Sequence, residues 1–326
     1  MSKILITGAN GFMGSRIAQR MTAAGHDVFC LVRRTSNLRR LEGLDITLLY
    51  GDITDRSSLP PAVADKEYIY HTAAALKAPT RKRFYEINVA GTQNLLETCL
   101  QNDRALQRLV FISSQAAAGP SRNGVPVKET DPPHPVSLYG WSKLEAEKVC
   151  SHLFDKLPIS IIRPPVIYGP HDMALWPVFK LLKKGFRLNL GRQKVISFSY
   201  IEDVVDGAIL AAEKTQAVGR TFNIASEKSY DWDHILKKAA EILHLKTRKL
   251  LIPPFLAMSY GYCLTLHSRL TGAAHAADAQ KMRELLRKYW ISDITLAKNI
   301  LGYRPRHSLE EGLRKTLTWY RQQGWL

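Results

Sequence analysis

Cysteine is scarce in this sequence, and long apolar runs are missing. The four cysteines lie far apart, without Cys-x-x-Cys or Cys/His spacing, which excludes a disulfide framework and predicts no metal site. They are Cys30, Cys99, Cys150 and Cys263. No apolar run reaches the roughly 18 residues of a membrane span, and the chain enters an apolar strand at Lys3, leaving no room for a signal peptide. These absences predict a protein with buried thiols in a reducing cytoplasm.

Acidic residues are few beside basic ones. Lysine and arginine outnumber aspartate and glutamate 46 to 29, which gives a net charge of +17 over 326 residues. The basic residues form short scattered clusters, such as residues 81–83 and 283–288, without a nucleic-acid-binding motif, so no nucleic-acid partner is predicted. A generally basic surface is the favoured interpretation. Attraction to anionic cofactors, acidic substrates or lipid headgroups is the alternative.

A glycine-rich turn follows the first apolar run. Residues 3–7 read Lys-Ile-Leu-Ile-Thr, and then Gly8, Gly11 and Gly14 are spaced G-x-x-G-x-x-G before a helical pattern. Glycine lets the backbone turn sharply and approach a ligand, while the free N–H groups at a helix N-terminus favour a phosphate. The usual dinucleotide fingerprint is G-x-G-x-x-G, so a purely structural turn is the alternative.

Tyr139 and Lys143 form a second motif. A spacing of four places the two side chains on one helix face, one turn apart, so the lysine ammonium can favour the tyrosine phenolate by lowering its pKa. Such a pair is an acid–base device for proton exchange near neutral pH. The same spacing also occurs by chance on many helices, and it gains meaning here from the glycine turn.

The glycine turn and the Ser…Tyr-x-x-x-Lys set together resemble the short-chain dehydrogenase/reductase superfamily, and more narrowly its extended branch, the NAD-dependent epimerase/dehydratase family. Four further segments are similar to that branch in the same order, so the resemblance covers nearly the whole chain. They are Gly51-Asp52-Ile53-Thr54-Asp55, His71-Thr72-Ala73-Ala74, Asn88-Val89-Ala90-Gly91-Thr92 and Arg163-Pro164-Pro165-Val166-Ile167-Tyr168-Gly169-Pro170.

The resemblance implies an NAD(P)-dependent enzyme with named site residues. Tyr139 would exchange a proton with a substrate oxygen, Lys143 would hold the nicotinamide ribose, and Ser114 would bind the same substrate oxygen. Ser113 is expected to be structural. The cofactor-binding residues implied are Gly8, Gly11, Phe12, Met13, Gly14, Arg33, Asp52, Ile53, Ala73, Ala74, Asn88, Tyr139, Lys143 and Pro164. For Asn88, ordering the cofactor side of the site and bonding only the backbone are equally favoured.

The choice of dinucleotide depends on the residues after the second strand. An acidic residue there accepts hydrogen bonds from a ribose 2′-hydroxyl, whereas an arginine accommodates a 2′-phosphate. This sequence has Arg33, with Thr35 and Ser36 as further donors. NADP(H) is therefore favoured over NAD(H), unless Arg33 only faces solvent.

Alternating strand and helix patterns in the first half predict a Rossmann-type, doubly wound parallel sheet. Strands are predicted at residues 3–7, 27–32, 46–50, 67–71, 108–113 and 159–163, and helices at 12–24, 84–101 and 137–153. Residues 1–165 are expected to form the dinucleotide domain, to which residues 200–225 return. Residues 166–326 are expected to form mainly a smaller, interleaved substrate lobe.

The substrate is expected to be a largely apolar small molecule. Sugar-nucleotide epimerases commonly carry an asparagine where this chain has Val166, and a nucleotide-binding arginine where it has Ile196. Segments around both positions are instead similar to 3β-hydroxysteroid dehydrogenases and dihydroflavonol reductases, which process apolar alcohols and ketones. The apolar stretch 255–266 is interpreted first as a core helix, with a pocket lid or a peripheral membrane contact as alternatives.

An oxidoreductase that transfers hydride between a nicotinamide and a hydroxyl or keto group is the function predicted. A sugar-nucleotide epimerase or dehydratase is the enzymatic alternative, and a non-catalytic dinucleotide sensor is the alternative of another class. By analogy with the family, a homodimer is also expected.

Overall fold

A seven-stranded parallel sheet forms the centre of the computed structural model, which describes residues 1–102, 105–191, 193–271, 273, 275 and 277–326. The strands are β1 (Lys3–Thr7), β2 (Asp27–Val32), β3 (Thr47–Tyr50), β4 (Tyr68–His71), β5 (Arg108–Ile112), β6 (Ile159–Arg163), β7 (Val166–Tyr168), β8 (Phe186–Leu190), β9 (Val195–Tyr200), β10 (Arg220–Asn223), β11 (Ser229–Asp231), β12 (Arg248–Ile252) and β13 (Tyr289–Trp290). The sheet has the order β10-β6-β5-β4-β1-β2-β3, with all pairs parallel. Strand order reverses between β1 and β4, where this class of fold binds ligands at the carboxyl ends of its strands.

Helices cover both faces of this sheet. They are α1 (Phe12–Ala23), α2 (Pro60–Val63), α3 (Arg81–Phe84), α4 (Gly91–Asn102), α5 (Gln115–Ala118), α6 (Leu138–Ser151), α7 (Trp176–Lys183), α8 (Ile201–Glu213), α9 (Trp232–Leu243), α10 (Pro254–Thr271), α11 (Ala279–Leu285) and α12 (Leu309–Gln322). One core joins α1 and α8 to the sheet through Ile17 and Val204, and a second joins α4 and α6 to its other face through Leu95 and Cys150. The predicted doubly wound α/β fold is confirmed.

Smaller sheets built from the later chain lie beside the large one. Strand β9 pairs with β7, β11 and β13, and β8 pairs with β12. Strand β10 joins the large sheet next to β6, after the chain has formed β7, β8 and β9. The division into two interleaved lobes at residue 165 stays a prediction.

The predicted helix at residues 84–101 is interrupted in the structure. Helix α3, capped by Thr80, ends at Phe84, where the predicted helix begins. A π-helical turn at Tyr85–Ala90 then separates α3 from α4. A π-helical turn has one residue more than an α-helical turn, and the spacing of apolar residues in the sequence did not reveal it. The turn matters for the site because it carries Asn88.

The prediction of a core helix at residues 255–266 is wrong. Helix α10 forms there, but its small residues Ala257, Gly261 and Ser268 are the buried ones. Large apolar side chains point outward, with Phe255 67% and Leu266 59% exposed. All but two of residues 255–266 are apolar or glycine, so side-chain size, which periodicity ignores, selected the buried face. No helix among the described residues is long and apolar enough to cross a membrane.

Candidate active site

The turn from β1 into α1 depends on its glycines. Gly8 has a φ of +67°, and a Cβ there would lie 2.7 Å from the backbone of Ala73, which follows the neighbouring strand β4. A Cβ on Gly14 would lie 2.5 Å from the Gly8 carbonyl oxygen. The Gly11 amide closes the turn by donating to that same oxygen at 2.9 Å. No side chain larger than hydrogen fits at Gly8 or Gly14. This tight turn leaves the N-terminus of α1 open to the close approach of a pyrophosphate.

A cleft of about 920 Å³ opens above this turn. Fourteen of the fifteen residues that the sequence singles out line it: Gly8, Gly11, Phe12, Met13, Gly14, Arg33, Asp52, Ile53, Ala73, Ala74, Ser114, Tyr139, Lys143 and Pro164. They come from the carboxyl ends of β1 to β6 and from the first turns of α1 and α6. Their functional roles remain proposals, but the structure brings them into one place.

Asn88 is the fifteenth residue, and it lies behind the cleft wall. Its buried side chain accepts from the Ala75 amide at 2.7 Å and donates to the Ala75 carbonyl at 3.0 Å. It also donates to the Ser142 hydroxyl at 2.8 Å. The Asn88 side chain thus ties Ala75, in the cleft-lining segment after β4, to helix α6.

Helix α6 presents Tyr139 and Lys143 to the cleft. Ser137 caps its N-terminus by accepting from the Gly140 amide at 3.0 Å. Lys143, which is buried, donates from Nζ to the Ile112 carbonyl at 2.6 Å and lies over the Phe111 ring, 4.1 Å from its centroid. The lysine is therefore fixed against the end of β5.

Ser114 faces Tyr139 from the end of β5. Its hydroxyl lies close enough to the Tyr139 side chain to act against the rise of the tyrosine pKa, and its oxygen accepts from the Ala116 amide at 3.1 Å, capping α5. The neighbouring Ser113 also lines the cleft, but its hydroxyl donates to Glu147 instead. The two adjacent serines therefore have different partners, which agrees with the assignment of Ser114 to the site.

Burial controls the protonation of both α6 residues. It raises the pKa of Tyr139 to about 12; the hydrogen bond with Ser114 opposes this rise, and the charge of Glu284 adds to it. Burial also lowers the pKa of Lys143 to about 8. The Tyr139 pKa is thus raised in this structure rather than lowered as predicted, because loss of hydration is the largest influence on it.

Comparison with known proteins places this cleft in a family. A model of the NAD dependent epimerase/dehydratase family matches residues 4–225, more than half of the chain. The chain belongs to this family. It is therefore an enzyme of the extended short-chain dehydrogenase/reductase type, as the glycine turn and the Ser114, Tyr139, Lys143 set predicted.

Relatives of this epimerase/dehydratase family member differ in their substrates. The chain is 25% identical to the N-acetyl-alpha-D-glucosaminyl-diphospho-ditrans,octacis-undecaprenol 4-epimerase of Escherichia coli, over 96% of this chain and 94% of the relative. It is 27% identical to the ceramide reductase of Caulobacter vibrioides, over 99% and 96%. A crystal structure of UDP-glucuronic acid 4-epimerase from Bacillus cereus in complex with NAD superposes with a TM-score of 0.78 at 25% identity, covering 98% of this chain and 99% of the other.

Arginines also line the cleft of this family member. Arg33 and Ser36 line it after β2, and the Arg33 amide donates to the Ser36 hydroxyl at 3.1 Å. Arg40 lines it too, and its guanidinium donates to the His171 carbonyl at 2.8 Å. Sequence reasoning missed Arg40, which lies seven residues beyond Arg33 and outside any motif.

At the end beside Tyr139, the cleft receives side chains from the later chain that no motif identified. Lys194 and Lys281 line this end together with Glu284, which accepts from Lys281 Nζ at 2.7 Å and from the Ser137 hydroxyl. Burial lowers the pKa of Lys194 to about 8; the charge of Lys281 lowers it further, and Glu284 opposes. The cleft is also lined by apolar residues of the later chain: Val166, Ile167, Met173, Ile196, Leu285 and Trp290.

Proposed function

We propose that this enzyme interconverts a hydroxyl and a keto group on a largely apolar substrate, with NADP(H) as the redox partner. The observation that carries the proposal is that Ser114, Tyr139 and Lys143 meet on the wall of the cleft that contains the glycine turn. The dinucleotide, when bound, supplies or accepts the hydride. The chain's own residues bind it and handle the proton.

Tyr139 is the proposed acid–base residue. With a pKa of about 12 it carries its proton at neutral pH, so it is ready to donate to a carbonyl oxygen during reduction. Ser114 orients the tyrosine hydroxyl and hydrogen-bonds the same substrate oxygen. Lys143 in its ammonium form holds the nicotinamide ribose and stabilises the phenolate that remains after proton donation.

The apolar residues at the substrate end support an apolar substrate. The side chains of Val166 and Ile196 cannot form hydrogen bonds. Sugar-nucleotide epimerases commonly carry an asparagine and an arginine at these two positions. A substrate hydrocarbon placed against them, Leu285 and Trp290 loses contact with water at a gain of roughly 25 cal/mol per Å².

A sugar-nucleotide epimerase is the second candidate, and the lysines favour it. Lys194 comes two residues before Ile196 and lines the cleft together with Lys281. The ammonium groups of these two lysines would bind the diphosphate of a sugar nucleotide. An epimerase oxidises and then reduces one bound substrate, and therefore keeps its dinucleotide. A non-catalytic sensor has no such observation in its favour.

The purified enzyme distinguishes the two candidates through the dinucleotide it carries. Denaturation of fresh protein followed by mass spectrometry of the released nucleotide is expected to yield no stoichiometric NAD. Direct titration is then expected to give tighter, reversible binding of NADPH than of NADH. One retained NAD per chain would instead favour the epimerase.

Arg33→Ala is expected to weaken NADPH binding by about tenfold to a hundredfold, the cost of one charge-assisted hydrogen bond of about 1.5–3 kcal/mol. NADH binding should stay within about twofold. Arg34→Ala is the matched control, because Arg34 does not line the cleft and its guanidinium lies over the Tyr50 ring, 5.2 Å from the centroid. Equal losses for both dinucleotides in Arg33→Ala would contradict the NADP(H) assignment.

The pH dependence of reduction is expected to report Lys143 rather than Tyr139. The ammonium form predominates below the Lys143 pKa of about 8, so kcat/KM should fall up to tenfold per pH unit above it. Tyr139 should add no limb in this range, since its pKa is about 12. Lys143→Arg retains the charge and should remove the limb at a lower overall rate. An unchanged limb in that variant would rule out Lys143 as its source.

We further propose a cytoplasmic homodimer. The cytoplasmic assignment is supported by Cys30, Cys150 and Cys263, which are free thiols, two of them buried. The dimer is expected by analogy with the family alone, and sedimentation of the purified enzyme tests it.

A further inference from the structure

Helix α10 exposes a continuous apolar face. Five large side chains form this α10 face: Phe255, Leu256, Tyr262, Leu266 and Leu270. Each is at least half exposed, and Leu270 reaches 78%. From Phe255 to Leu270 the face extends about 22 Å at a rise of 1.5 Å per residue. Leu251 continues it in β12, with 57% of its surface exposed.

The inner side of α10 explains why this face is held outward. Gly261 packs so closely on α11 that a Cβ would lie 2.8 Å from Met282 and 3.0 Å from the Cα of Ala279. Ala257 and Ser268 complete a buried strip of small residues. Rotating the helix to bury its large residues would destroy this close contact, so the apolar side chains remain in solvent without another surface to cover them.

Charge around the α10 face has one sign. No aspartate or glutamate occurs between Glu241 and Asp278. Arg248 and Lys249 precede the face in β12, and Arg283 donates to the Tyr262 hydroxyl at 3.3 Å. These three basic residues are exposed, and within the described chain none of them forms an ion pair. The face is thus apolar with an uncompensated basic border.

We infer that the α10 face docks peripherally on a membrane surface that contains anionic lipids. An amphipathic helix lying in the plane of the interface buries its apolar side chains at the level of the headgroups, and nearby lysines and arginines add about 1 kcal/mol each on anionic lipid. A second copy of this chain fits the face poorly, because docking would bring two basic borders together without acidic residues between them.

Docking by this face also orients the cleft. Helix α11 packs against α10 and carries Lys281, Glu284 and Leu285, which line the substrate end of the cleft. Membrane docking therefore brings that end towards the lipid phase. This last step, access for a substrate that resides in the bilayer, rests on the proposed function, whereas the docking itself does not.

Flotation of the whole enzyme with lipid vesicles tests the docking without any turnover. Vesicles of phosphatidylglycerol and phosphatidylcholine in equal parts are compared with vesicles of phosphatidylcholine alone. The enzyme is expected to float with the first, at least tenfold more than with the second, and less at high salt. Phe255→Ser combined with Leu266→Ser should reduce flotation at least tenfold, and Lys249→Gln about fivefold, which corresponds to about 1 kcal/mol.

Leu100→Ser combined with Val125→Ser is the matched control, because both residues are exposed and apolar but lie outside α10 and β12. This variant should float like the wild type. Failure of the wild type to float, or full flotation of the Phe255→Ser, Leu266→Ser variant, would overturn the inference. So would a dimer in free solution that this variant alone dissociates, since the face would then be covered by a second copy. Failure of docking leaves the role of Tyr139 untouched.

Discussion

Tyr139→Phe is expected to lower kcat by about 10²–10⁴-fold, the usual contribution of a positioned general acid or base. The variant loses the proton that the tyrosine hydroxyl carries at neutral pH, whereas the ring contact with Phe84, at 6.4 Å between centroids, remains possible. Dinucleotide affinity should change by less than about threefold, because the binding turn and Lys143 are intact. Steady-state rates and a dinucleotide titration on the same preparation measure both quantities.

Tyr85→Phe is the control for this substitution. Tyr85 is 46% exposed and stacks on Trp141, with 6.4 Å between ring centroids, and it does not line the cleft. Its variant should keep the wild-type kcat. If Tyr139→Phe turned over at a rate comparable to that of Tyr85→Phe, another group would have to supply the proton and the proposed role would be lost.

Glu147→Leu is expected to lower the free energy of unfolding by about 3–5 kcal/mol, because it leaves a buried guanidinium without its partner. Glu147 accepts from Arg163 at 2.9 and 2.6 Å through its two carboxylate oxygens, and from Ser113. Both charged side chains are nearly inaccessible, at 6% and 7%. Denaturant unfolding of the variant and the wild type measures the difference.

A double substitution shows whether the loss of stability comes from the unpaired Arg163 guanidinium or from the missing attraction between Glu147 and Arg163. Glu147→Leu combined with Arg163→Leu should recover most of the stability, since replacing a whole buried ion pair by apolar residues is often neutral. Glu145→Gln is the surface control: its partner Lys148 is 55% exposed, and the loss should stay below about 1 kcal/mol. A Glu147→Leu variant as stable as Glu145→Gln would show that the buried pair contributes little to holding α6 on β5 and β6.

Local spacing made much of the site predictable. The turn at Gly8, Gly11 and Gly14 is a backbone device fixed by neighbouring residues, and a separation of four on one helix places Tyr139 and Lys143 together in any context. Parallel strands end at one edge of the sheet, so the strand-end motifs could be expected to meet in one cleft. For these residues, sequence order and spatial order are simply related.

Long-range packing decided what could not be predicted. Lys194 and Glu284 reach the cleft from a strand start and a short helix that carry no motif, and their neighbours are set by tertiary contacts. The direction of the Tyr139 pKa shift depends on burial, which spacing does not report. Helix α10 was assigned to the core because its composition is apolar, although Gly261 and its small neighbours determine which side is buried.

The position of β10 at the edge of the large sheet also affects how the chain folds during synthesis. During synthesis β6 leaves the ribosome before β10, its neighbour in the sheet, and the roughly 60 residues between them take about 3–12 s at about 5–20 residues per second. For those seconds β6 presents unpaired backbone groups to any other nascent chain, and an open edge strand is a template for aggregation. Slower translation between residues 163 and 220 lengthens that exposure, whereas a chaperone that covers β6 shortens it.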